Sequence, residues 1–191
     1  MTTDTPRRLA PDLVELSLRR AKRPRSILAG PYGHPLHAVA VTVPIGAWTA
    51  SLVFDLATRF VAKPAAFARG ATWLVGIGLV GAAGAGSLGL LDLRTIDRGT
   101  HARRIALVHL TANVAASSLF AGSWLVRSRS RHHRAGVTGV LLSLVGYGLV
   151  GLSGVLGGEL TYRYGVRVAD EDTQRSGFVP AGEALTPADG R

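Results

Sequence analysis

Four stretches of the chain are long, apolar and almost free of charge: Pro35 to Leu56, Ala71 to Leu91, Ile105 to Val126, and Gly136 to Gly158. A bilayer core about 30 Å thick needs about 20 apolar helical residues, so each stretch is long enough to cross it. Helices of a soluble bundle would instead carry a polar outer stripe with charges every turn or so. "ATWLVGIGLVGAAGAGSLGLL", residues 71 to 91, has no charged side chain, and Ile105 to Val126 has only His109 and Asn113 as strongly polar ones. The pattern predicts an all-α fold, an integral membrane four-helix bundle with short loops. Residues 1–33 form a basic N-terminal segment, 34–160 the membrane domain, and 161–191 a polar tail expected to be disordered after 168.

Local signals refine the helices. His34 is placed to cap the first one, with Pro35 at the first helical position, where a missing N–H costs nothing. Pro44 lies mid-helix and frees the carbonyl of Ala40, so a kink is expected there. Upstream, "PDLVELSLRR" (11 to 20) is either a short amphipathic segment on the inner leaflet or part of a disordered tail. The first apolar run is longer than a signal-peptide core and follows 34 largely polar residues, so it is expected to stay as an anchor.

Composition agrees, with 47% hydrophobic and 18% charged residues. The chain has no cysteine, which excludes disulfides, iron–sulfur ligation and thiolate metal sites in it. Its net charge of +10 has no nucleic-acid motif beside it and is read as topology signal and attraction to the lipid bilayer. Of the 22 Lys and Arg residues, fifteen flank the N-terminus, the second loop and the C-terminal tail, and seven lie in the first and third loops. The positive-inside rule then places both termini in the cytoplasm of a cell-membrane protein. The basic run "RSRSRHHR" (127 to 134) falls on the outer face. Trp73 and Trp124 are expected near the outer interface, and Tyr32, Tyr162 and Tyr164 near the inner one.

In lipid, helices approach through small residues. Gly78, Ala82 and Gly86 repeat at four, as do Gly81, Ala85 and Gly89, and Gly154 with Gly158 forms a GxxxG pair. No internal repeat is obvious. On helix one, His37, Val41, Pro44, Trp48 and Asp55 share a stripe, with His37 and Asp55 18 residues, or five full turns, apart. On helix three, His109 and Asn113 are one turn apart. The topology lets His34, His37, Asp92, His109 and Glu159 converge on an inner vestibule, and ionisable groups in a bilayer are functional candidates by default. Bland alternatives stand beside these: Asp55 with Arg59 and Glu159 with Arg163 have i,i+4 ion-pair spacing, His34 is a cap, and His132 and His133 belong to a solvated loop.

His37 and His109 have no partner nearby in sequence. Either they make a structural interhelical hydrogen bond or they serve a ligand or a proton. Two neutral imidazoles at one depth on facing helices are what a bis-histidine haem requires, with Arg25, Arg103 and Arg104 available to its propionates. Asn113 and Glu159 would stand close by.

The strings "GHPLHAVAVTVPIGAWTASLVFDL" (33 to 56), "LVHLTANV" (107 to 114) and "GGELTYRYGVRV" (157 to 168) resemble the bacterial membrane proteins of domain of unknown function 2231, over about residues 30 to 168. The resemblance implies four membrane helices, assigns no activity, and singles out His34, His37, Asp55, His109, Asn113, Gly157, Gly158 and Glu159. Some members resemble fusions to a Rieske iron–sulfur domain. For this chain that implies a redox partner protein with such a domain, and a centre that is haem, quinone or the partner's.

The expected function is a multi-pass membrane protein, in its sharper form a haem- or quinone-binding electron-transfer component using His37 and His109. No catalytic residue is identified. The alternatives are a non-catalytic scaffold or accessory subunit, and a small transporter or proton path, which would need to be an oligomer.

The charge distribution predicts that reporter fusions after Lys63 and after Arg129 read as exported and one after Arg98 as cytoplasmic. Cytoplasmic signals from the first two would reverse the orientation.

Overall fold

The computed structural model describes residues 36–168 together with Arg175 and Gly177. The expected His34 cap, the segment from 11 to 20, Tyr32, Arg25 and most of the polar tail lie outside the described residues.

Four helices cross the bundle: α1 (Leu36–Ala57), α2 (Pro64–Leu93), α3 (His101–Arg129) and α4 (Gly136–Tyr162). Each except the first extends beyond its apolar window. Pro64 begins α2 at a position that needs no N–H. Thr100 caps α3, its hydroxyl accepting from the Arg103 N–H at 3.1 Å. At Val41, α1 breaks into Leu36–Ala40 and Thr42–Ala57, where Pro44 has no N–H for the Ala40 carbonyl. The regular helix is interrupted at the expected place, while the Val41 N–H still bonds the His37 carbonyl and the Ile45 N–H the Val41 carbonyl across it.

Short loops make consecutive helices antiparallel. The closest pairs are α1 with α2 and α3 with α4, and the bundle closes through α2 with α3 and α1 with α4. At its centre the Trp48 and Phe120 rings stack 4.0 Å apart and 7° from parallel, amid Val75, Ala116 and Val150. A second cluster joins Ile96, Ala102, Ala106, Leu160 and Tyr164 at the end near the termini. The outer faces are apolar: Val80 and Val137 are each 76% exposed and Val155 71%. Such surfaces are expensive in water and suited to lipid. Trp73, Trp124 and Tyr162 are exposed as interface aromatics would be. Tyr164 departs from that expectation: it is 4% exposed and packed in the second cluster.

The buried positions follow a spacing of three and four residues. On α3 they run through Ala106, Ala116, Phe120, Ser123 and Arg127, and on α4 through Gly139, Ser143, Gly146, Val150, Ser153 and Leu160. Small residues at this spacing let the backbones approach closely. A Cβ on Gly78 would run into the Trp48 ring, and one on Gly81 would lie 2.8 Å from Val43. Gly86, expected to belong to the same stripe, has open space, as has Gly154, and Gly158 meets only Tyr162 of its own helix. The contacts thus select one of the two expected α2 stripes in full and use the other only in part.

The structure also reveals a repeat. His37 meets His109, Trp48 meets Phe120 and Asp55 meets Arg127, each pair 72 residues apart. Gly78 faces Trp48 as Gly146 faces Phe120, and Gly89 faces His37 as Gly157 faces His109, so the glycines of α2 and α4 correspond at 68 residues. The α1–α2 and α3–α4 hairpins are therefore parallel pseudo-repeats. The likeness lies in buried positions and is hidden among divergent lipid-facing residues.

Gly78→Ala is expected to lower stability by about 1–3 kcal/mol through overpacking against Trp48. Gly86→Ala should be neutral or gain up to ~1 kcal/mol of helix propensity. Thermal unfolding in detergent checks this, and equal effects would refute the packing.

Candidate functional site

At the end of the bundle near the termini, the two histidine rings stand 6.3 Å apart, edge to face at 83°. Their hydrogen bonds differ. His109 Nδ1 lies 2.8 Å from the carbonyl oxygen of Ser153. A carbonyl only accepts, so Nδ1 carries the proton and Nε2 is an acceptor in the neutral ring. Asn113 Nδ2 lies 3.2 Å from that Nε2, 2.9 Å from the His109 carbonyl oxygen and close to Ser153 Oγ, so its two hydrogens are shared among three acceptors. Both nitrogens of His109 thus have a polar neighbour.

His37 Nδ1 likewise lies 2.8 Å from the carbonyl oxygen of Ala85, and the same reasoning makes its Nε2 an acceptor. In the pseudo-repeat, Val41 stands where α3 has Asn113, and Ala85 where α4 has Ser153. Neither can bond an imidazole through its side chain. No hydrogen bond reaches His37 Nε2 among the described residues.

His37 instead lines a cavity of about 170 Å³, walled by Leu36, Leu88 and Leu91 on its apolar side and by Asp92, Thr95 and Arg167 on its polar side. Arg167 Nε lies 2.9 Å from Asp92 Oδ1, an ion pair without hydrogen-bond alignment. The arginine is held in the left-handed region at φ 67°, just past the point where the Val166 N–H closes back on the Leu160 carbonyl at 2.9 Å. Buried Tyr164 anchors this segment.

Of the residues expected at the vestibule, His37, His109, Asn113 and Asp92 are brought to this end together. Glu159 accepts from Arg163 at 2.8 Å, as its i,i+4 alternative anticipates. That bond pushes the Arg163 guanidinium further above its ordinary value. Nothing bonds Glu159 to either histidine among the described residues.

At the opposite end, near the loops, the expected pairing is corrected. Asp55 bonds Arg127, not Arg59, through two parallel contacts of 2.7 and 2.6 Å. Arg127, read from sequence as part of a solvated loop, is fully buried in α3. Its Nε donates to Ser123 Oγ at 3.0 Å, its Nη2 reaches Ser143 Oγ at 3.3 Å, and the Ser123 hydroxyl donates to the Gly139 carbonyl at 2.7 Å. Extending the His109–Asn113 stripe to Phe120, Ser123 and Arg127 was the signal that identifies this arginine.

A family profile described as a predicted membrane protein (DUF2231) matches residues 33–170. No curated protein and no solved structure matches.

Breaking a buried, doubly bonded pair strands a charge. Arg127→Met is expected to cost about 3–5 kcal/mol, and Asp55→Leu combined with Arg127→Met much less than the two single changes together. Additive losses in thermal unfolding would show that the two residues do not depend on one another.

Proposed function

We propose, for a chain that belongs to the DUF2231 family of predicted membrane proteins, that the cavity beside His37 binds the ring headgroup of a quinone or quinol. One observation carries this reading: His37 lines a small, partly apolar cavity and its Nε2 has no hydrogen-bond partner among the described residues, whereas both nitrogens of its pseudo-repeat counterpart lie beside polar groups. A cavity of about 150 Å³ accommodates a six-membered ring. Leu36, Leu88 and Leu91 suit its apolar edge, and a lipophilic tail would leave between α1 and α2 into the bilayer. Neutral His37 accepts from a quinol hydroxyl at Nε2, and protonated His37 donates to a quinone carbonyl. Thr95 and the Asp92–Arg167 pair offer further donors and acceptors on the opposite side.

Haem held by both histidines, the other expected cofactor, does not suit this arrangement. Asn113 stands at His109 Nε2, and the cavity borders His37 but not His109. A proton path along the bundle is also disfavoured, because the Trp48–Phe120 stack fills the centre between the two polar ends. The scaffold reading accounts well for His109, whose two nitrogens are spent within the bundle. Electrons would pass to a centre on a partner, such as the iron–sulfur domain that the family resemblance implies. On the positive-inside reading of the basic residues around the N-terminus and second loop, the pocket lies on the cytoplasmic side.

A short-tailed ubiquinone or menaquinone analogue should raise the melting temperature of the purified protein. At a hundredfold excess over Kd the gain is about 2.7 kcal/mol. His37→Ala should remove the effect. Val41→Asn, which copies Asn113 into the first hairpin, should engage Nε2 and weaken binding while leaving the fold intact. Binding unchanged in both variants would reject the site.

A further inference from the structure

Charges at the two ends of the bundle are paired very differently. At the end near the termini each described carboxylate has an arginine: Asp92 has Arg167, Glu159 has Arg163, and Asp97 has Arg175. At the loop end the single carboxylate among the described residues, Asp55, spends both oxygens on Arg127. Arg59, Lys63, Arg69, Arg129, Arg131 and Arg134 are all exposed there, and none is in an ion pair among the described residues.

These cations share one end of the bundle. The turn Arg131–His133 packs on α2, where the Thr72 hydroxyl donates to the His133 carbonyl at 3.4 Å. His132 and His133 adopt left-handed φ of 66° and 56°, which turns the chain tightly between Arg131 and Arg134. Phe60 is 81% exposed at this end, and Trp73 and Trp124 lie exposed below it on α2 and α3, where ring side chains mark the headgroup boundary.

We propose that the loop end is a binding surface for anionic phospholipid headgroups. A phosphodiester supplies negative charge at the right depth and several acceptor oxygens for guanidinium groups. Its acyl chains then run along the exposed aromatic and aliphatic side chains beneath. An acidic protein segment would meet the cations but leave that apolar belt uncovered. Because Arg127 neutralises the only nearby carboxylate among the described residues, internal pairing among them does not diminish the attraction.

The test uses the full chain in phosphatidylcholine vesicles with and without phosphatidylglycerol. It compares the wild type with Arg69→Gln/Arg129→Gln/Arg131→Gln/Arg134→Gln and with the opposite-end control Arg94→Gln/Arg98→Gln/Arg104→Gln. Phosphatidylglycerol should raise the melting temperature of the wild type and the control, high salt should reduce the gain, and the first variant should lose it. Preference for fluorescent phosphatidylglycerol over phosphatidylcholine should fall by roughly fivefold per neutralised side chain. If the multiple variant unfolds in phosphatidylcholine, Arg131→Gln and Arg134→Gln are measured singly against the same factor. A variant that keeps the wild-type preference overturns the proposal. So does protection by polyglutamate but not by phosphatidylglycerol.

Discussion

Side chains that reach across to a neighbouring helix's backbone carbonyl hold this bundle in register. Trp48 Nε1 donates to Val75 at 3.3 Å, His37 to Ala85 at 2.8 Å, His109 to Ser153 at 2.8 Å and the Ser123 hydroxyl to Gly139 at 2.7 Å. Lipid offers helices no hydrophobic reason to associate, so packing and polar contacts must supply the specificity. Each ring needs room beside the helix it bonds. Gly78, Gly89 and Gly157 provide it against Trp48, His37 and His109. The glycines and the ring donors are thus two halves of one device, and substitution of either should loosen the other.

The device occurs twice because the hairpin occurs twice, and the copies differ at both ends. In α3 and α4, Asn113 and Ser153 close the hydrogen bonding of His109. In α1 and α2, Val41 and Ala85 offer His37 no side-chain partner, and His37 lines a cavity. At the other end the copies differ in charge, with Asp55 in one and Arg127 in the other, and opposite signs at equivalent positions make a pair across the bundle. Repetition supplied matched positions, and substitution within them produced a lock at one end and an open imidazole at the other.

Much of this was legible in the chain. Length and charge gave the four membrane helices, Pro44 the break in α1, and the stripe geometry the approach of His37 and His109. The spacing that identified Gly81, Ala85 and Gly89 is the one used in packing. Two things escaped for physical reasons. Arg127 sits beside a run of exposed arginines, so local composition hides its burial, which depends on a carboxylate 72 residues away. The repeat escaped because matched residues such as Trp48 and Phe120 conserve shape and place without conserving identity.

The protonation pattern of the two imidazoles tests the account most directly. Nitrogen NMR of ¹⁵N-histidine-labelled protein in lipid, with assignments made by His37→Gln and His109→Gln, reports which ring nitrogen bears the proton. Both rings should carry hydrogen on Nδ1, and only the His37 Nε2 resonance should move when a short-tailed quinol is added. A His37 Nδ1 without hydrogen in the ligand-free protein would contradict the carbonyl bond to Ala85 and, with it, the acceptor Nε2 on which the pocket depends.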